Sequence, residues 1–116
     1  MAYKKRQRKF GRERDQRKAF LRALASNLIL HGKIKTTEAR AKELRKIVER
    51  AVTKGKAQNL QATRLLLRKF PALIVAKIMR ELSLKHKLRP GGYTRIVKLG
   101  PRQSDGARMA IIEFVE

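Results

Sequence analysis

Two stretches of this chain set a row of cations along a helix whose other side is apolar. In the first, Phe20, Leu21, Leu24 and Leu28 recur at i, i+1, i+4 and i+8, the spacing of a helical stripe. Arg14, Lys18 and Arg22 recur at i, i+4 and i+8 away from it. In the second, Ala41, Leu44, Val48 and Ala51 form the stripe with Ile47 beside them, and Lys42, Lys46 and Arg50 form the row. Like charges four residues apart cost an isolated helix about 0.2–0.5 kcal/mol per pair. Such a chain must bury the apolar side and leave the cationic side to meet an anion.

The whole sequence carries the same bias. Thirty-one Lys and Arg against nine Asp and Glu give a formal charge of +22 over 116 residues. Charge on this scale repels itself in a compact state and draws polyanions, which argues against a free metabolic enzyme. The apolar fraction of 42% is nonetheless that of a folded protein, and the length suits one domain. No cysteine is present, so disulfides, thiol catalysis and cysteine-ligated zinc are excluded. Apolar runs such as Ala72 to Ala76 are far too short to cross a bilayer. Arg22, Ser26 and Asn27 interrupt the segment from Phe20 to Leu30, and Glu13 and Asp15 lie within the basic start. Neither a secretory signal nor a transit peptide has that pattern. The expectation is a soluble, intracellular protein with no membrane partner.

Residues 1–14 hold Lys4, Lys5, Arg6, Arg8, Lys9, Arg12 and Arg14, with only Tyr3 and Phe10 as large apolar groups. Burial cannot offset the entropy of ordering such a segment, so it reads as a basic arm that orders along phosphates. A helix is predicted from Asp15, as N-cap, to His31, with Gly32 at its left-handed C-terminal position. Lys33 to Thr37 alternates and is β-branched, as a strand does. Thr37 can cap a second helix that starts at Glu38 and ends at Gly55. A third spans about 58–69, burying Ala62, Leu65 and Leu66. Pro71 opens a fourth, with Val75, Ile78, Met79 and Leu82 inward and Lys77–Glu81 as an exposed pair. Tyr93 to Leu99 and Arg108 to Val115 read as two strands joined by a longer loop. The predicted fold is α+β and two-layered, in the order α-β-α-α-α-β-β. Its helices pack on one face of a small three-stranded sheet, with residues 15–116 as a single domain behind the arm.

Catalytic chemistry finds no support. His31 sits at a helix end, and His86 lies between Lys85 and Lys87, where phosphate contact is the better reading than general-base work. The two histidines lack metal-ligand spacing, and the carboxylates form no dyad. No catalytic, cofactor or metal site and no small-molecule substrate is expected. Nucleic-acid chemistry fits better, because Lys and Arg neutralise phosphates without reading sequence. In Arg89-Pro-Gly-Gly-Tyr-Thr-Arg95, Gly91 and Gly92 let backbone approach a sugar-phosphate chain. Tyr93 is either a stacking group or a residue packed at the sheet edge. Lys85, Lys87, Arg89, Arg95 and Arg102 are further candidate contacts. Base-specific duplex reading lacks any motif.

Two long segments carry a family resemblance. His31-Gly-Lys-Ile-Lys-Thr-Thr-Glu-Ala-Arg-Ala-Lys-Glu-Leu-Arg45 and Arg89-Pro-Gly-Gly-Tyr-Thr-Arg-Ile-Val-Lys-Leu-Gly100 resemble the two signatures of the bacterial large-subunit ribosomal protein L-seventeen family. Asp105 to Val115 is similar to that family's closing strand, whereas Met1 to Lys5 and Gln16-Arg17 depart from its usual start. The resemblance implies a structural constituent of the large ribosomal subunit. Such a protein is cytoplasmic, binds large-subunit rRNA near the peptide exit and has ribosomal-protein neighbours such as L-thirty-two. It carries Thr36, Thr37, Lys42 and Arg45, and the segment from Arg89 to Arg95, over as RNA-binding positions; Lys46 is a candidate contact through the second cationic row. A free nucleoid-associated DNA-binding protein and an RNA chaperone are the alternatives that the charge alone leaves open.

Overall fold

A computed structural model describes the backbone of residues 2–115 and the side chains of residues 14–115. The elements run α1 (Ala2–His31), β1 (Lys33–Thr37), α2 (Glu38–Gly55), α3 (Leu60–Leu67), α4 (Ala72–Lys77), a π-helical turn (Ile78–Leu82), α5 (Ser83–Lys85), β2 (Thr94–Pro101) and β3 (Arg108–Phe114). This is the expected α+β order, with the fourth helix drawn as three joined pieces. Helix α1 does not begin at Asp15, which sits in its interior. The preceding residues include no proline, and Arg, Lys and Gln are good helix formers. Gly11 alone opposes continuation, at about 1 kcal/mol. The arm's contacts at Lys4, Lys5, Arg6, Arg8, Lys9 and Arg12 lie outside the described side chains.

Local chemistry explains most of the boundaries. Gly32 takes φ 85° after α1, and its N–H donates to the Leu28 carbonyl at 2.7 Å. The Thr37 hydroxyl accepts from the Arg40 N–H at 3.3 Å, capping α2 as its sequence position predicts. The Asn59 side chain caps α3 by accepting from Ala62 N at 2.8 Å. Gln58, with φ 52°, turns the chain between those helices, and its amide donates to the Gly55 and Met79 carbonyls. Pro71 stands just before α4 rather than inside it.

The sheet is antiparallel in the order β1-β3-β2, and Ile34, Ile112 and Ile96 lie in register on its helix-facing side. That row meets Leu28 and Ile29 of α1 and Leu44, Val48 and Val52 of α2 in one core, which Leu66 and Ile78 complete. Leu65 is only half-buried, and Phe20, expected in the α1 stripe, is 45% exposed. The Arg40 guanidinium lies 4.8 Å from the Phe20 ring centre. Ala25 and Ile29 fill the stripe instead, because the buried face of α1 is rotated towards them. Lys77 pairs with the Leu30 carbonyl at 2.8 Å rather than with Glu81, so it holds the end of α1.

Candidate nucleic-acid interface

The two cationic rows survive folding as surface. Arg14, Lys18 and Arg22 on α1 and Lys42, Lys46 and Arg50 on α2 are all exposed. Between described residues, four ion pairs form: Arg17–Glu43, Arg45–Glu49, Arg95–Glu113 and Arg102–Asp105. None of them takes a member of either row. Exposed pairs of this kind contribute at most about 1 kcal/mol each, so they leave the positive field of the rows almost intact.

Glu49 organises the glycine loop. Its half-buried carboxylate accepts from Gly92 N at 3.3 Å, from the Thr94 hydroxyl at 3.1 Å and from Arg45 Nε at 3.1 Å. Lys56 donates to the Arg89 carbonyl from the other side. Gly91 and Gly92 adopt φ values of 115° and 65°, which L side chains rarely reach, while a Cβ on either would meet nothing within 4 Å. The glycines therefore make the turn, and their outer faces stay open.

Tyr93, offered by the sequence as a stacking group, is corrected to a core residue. It is 1% exposed, shares a 3.1 Å hydrogen bond between its hydroxyl and that of Thr53, and has Lys56 Nζ 4.5 Å from its ring centre. The sheet edge claims the ring because the turn at Gly91-Gly92 points it back at α2. Thr36 is likewise buried, on β1 opposite Ala110. The phosphate reading of His86 also fails. The imidazole is 3% exposed, packs 5.4 Å from Tyr93 and 6.3 Å from Phe114, and leaves Nε2 without a partner.

Burial, reinforced by Lys85, Arg89 and Lys56, pushes the His86 pKa below its usual value. The folded state therefore prefers neutral imidazole. Its contribution is complete above the unfolded-state pKa of about 6.5 and is lost as pH falls from there through the lowered folded value. Urea unfolding is expected to show wild-type stability falling between about pH 7.5 and pH 5, and His86→Phe to flatten that loss. Parallel pH profiles for the two proteins would exclude His86 as the cause.

The remaining candidates stay at the surface. Arg45, Lys46, Lys85, Lys87, Arg89, Arg95 and Arg102 are exposed, and Thr37 is half-buried at the α2 cap. Arg95 reaches Glu113 at 2.7 Å across the outer face of the sheet. Arg102 makes two bonds to Asp105, at 2.9 and 2.6 Å, which hold that carboxyl down to about 2 and close the loop before β3. Sequence reasoning passed over Lys54 and Lys69. Lys54 continues the α2 row by one more turn, a signal that was readable. Lys69 joins it only through the α2–α3 packing.

The sequence profile of the family described as Ribosomal protein L17 matches residues 20–115. The chain belongs to that family. The profile spans both signature segments and every element from the middle of α1 to the closing strand. Family members are structural components of the ribosome, not enzymes. The chain is 52% identical to the large ribosomal subunit protein bL17 of Bdellovibrio bacteriovorus over 99% of its length, spanning 64% of that protein. It is 42% identical to the bL17 protein of Sorangium cellulosum over its whole length, covering 84% of that chain. With the bL17 protein of a Thermoanaerobacter species, identity is 50% over 93% of this chain and 97% of the relative. Among the described residues no helix is long and apolar enough to cross a membrane.

Proposed function

We propose that the chain is a structural constituent of the bacterial large ribosomal subunit that grips large-subunit rRNA through phosphate contacts. The observation that carries this reading is the pair of exposed cation rows, without acidic partners among the described residues, on a member of a ribosomal-protein family. Affinity comes from counterion release along those rows, with Gly91 and Gly92 offering bare backbone to the sugar-phosphate chain. Residues 1–14, which from Ala2 on extend α1, act as the basic arm that settles along RNA phosphates during assembly. The location is near the peptide exit, with L-thirty-two among the protein neighbours, and the compartment is the cytoplasm.

Sedimentation of a tagged chain tests the assignment. It is expected to travel with large subunits through a mild-salt gradient and to crosslink to large-subunit rRNA. Enrichment on chromatin, or strand-annealing activity of the free protein without ribosome association, would move it to the nucleoid or chaperone reading. Replacing both Arg89 and Arg95 by Ala is expected to weaken rRNA binding about tenfold or more, while the circular-dichroism spectrum stays that of a folded protein. Unchanged binding would remove these arginines from the interface.

A further inference from the structure

The α2 row and the end of α3 meet at one place. Arg50 and Lys54 of α2 and Lys69, just beyond α3, rim a hollow whose floor is made by Ile47, Leu65 and Phe70, and no acidic residue lines it. Arg50, Lys54 and Lys69 are exposed, as are Lys18 and Arg22 of α1. The other four cations all act on Lys69. The Lys69 ammonium is held below the usual lysine range by Lys54 first, then by partial burial, then by Arg22, Arg50 and Lys18. The negative ends of two helix dipoles account for a lysine at each terminus. They do not account for three further cations from two helices brought to the same spot.

We propose that this hollow, rimmed by Arg50, Lys54 and Lys69 and backed by Lys18 and Arg22, is a phosphate-binding site that holds consecutive phosphates of an RNA backbone. It rests on the rRNA-binding reading and adds to it a defined site. One phosphodiester carries a single negative charge, so five converging cations match a run of phosphates better than one. The Arg50 fork can take two oxygens of a phosphate, the lysines act as point charges on the next, and the apolar floor accepts the sugar edge. Such a site reads backbone shape and not base identity.

The test uses the full chain and two probes, inorganic phosphate and large-subunit rRNA. Thermal unfolding is followed in phosphate and in chloride at matched ionic strength for wild type, for Lys54→Gln/Lys69→Gln, and for Lys33→Gln/Lys35→Gln as a charge-matched control on β1. The site variant is expected to melt higher than wild type in chloride, because repulsion has been removed. It is also expected to lose the upward shift that phosphate gives wild type and the control. With rRNA, its plot of log affinity against log salt should be shallower than wild type by about 1.5 to 2, as two lost phosphate contacts require. A phosphate shift equal in all three proteins, or an rRNA slope unchanged in the site variant, overturns the site. Absence of rRNA binding by wild type, with the phosphate shift still dependent on Lys54 and Lys69, instead overturns the functional reading and leaves an anion site.

Discussion

Gly55→Ala is expected to destabilise the fold by about 2 kcal/mol, although alanine is the better helix former by about 1 kcal/mol. The glycine closes α2, where the helix crosses the π-helical turn and Ser83. A Cβ built there lies 2.2 Å from Ser83 Oγ and 3.0 Å from Ile78 Cγ2. Ser83 cannot simply step aside, since its hydroxyl donates to the Val52 carbonyl at 3.1 Å and its side chain is buried. The methyl group would have to separate the two helices or break that bond, leaving the buried Ser83 hydroxyl unpaired, while the Val52 carbonyl keeps the Lys56 N–H at 3.1 Å. In thermal melts the variant should lose roughly 8 °C. Ser83→Gly in the same chain should restore part of the loss, because it removes the clashing atoms. A melting temperature raised by Gly55→Ala would mean that the helices are not in this contact.

Affinity for large-subunit rRNA is expected to fall by about three to five orders of magnitude between roughly 50 and 200 mM monovalent salt. That is the behaviour of a protein making about six to ten phosphate contacts. The rows on α1 and α2 supply cations in that number when Lys54 and Lys69 are counted with them, and the described ion pairs leave these residues free of acidic partners. Filter binding or fluorescence titration across a salt series measures the slope directly. A shallow slope, near that of one or two contacts, would mean that the rows face something other than phosphate. Double-stranded DNA competing as well as rRNA at every salt concentration would favour the nucleoid reading.

The element order, the Thr37 cap, the Gly32 helix end and the cationic rows were readable because each depends on neighbours within about one helical turn. Other features depend on contacts between distant segments. Gly55 reads as a helix terminator, yet its φ is ordinary, and what requires glycine is Ser83, twenty-eight positions on. Lys77 and Glu81 have the spacing of a pair, but the Leu30 carbonyl offers Lys77 the negative end of α1 to hold. Tyr93 and His86 look like RNA contacts from their basic neighbours. Both rings instead fill the space between α2 and the end of the sheet, where Phe114 completes the cluster.

The amino-acid order alone determined that this chain would expose more cations than it could neutralise and would need a polyanion. Charge is a sum over residues, and helical periodicity assigns it to faces without knowledge of the rest. Only the tertiary structure decided which basic groups converge and which aromatic groups are withdrawn. Convergence is a distance between elements: it sets Lys69 beside Lys54 and buries Tyr93 behind the glycine turn. The charge excess thus becomes rows on two helices that meet at one hollow, because the apolar stripes pack α1, α2 and α3 into a single core.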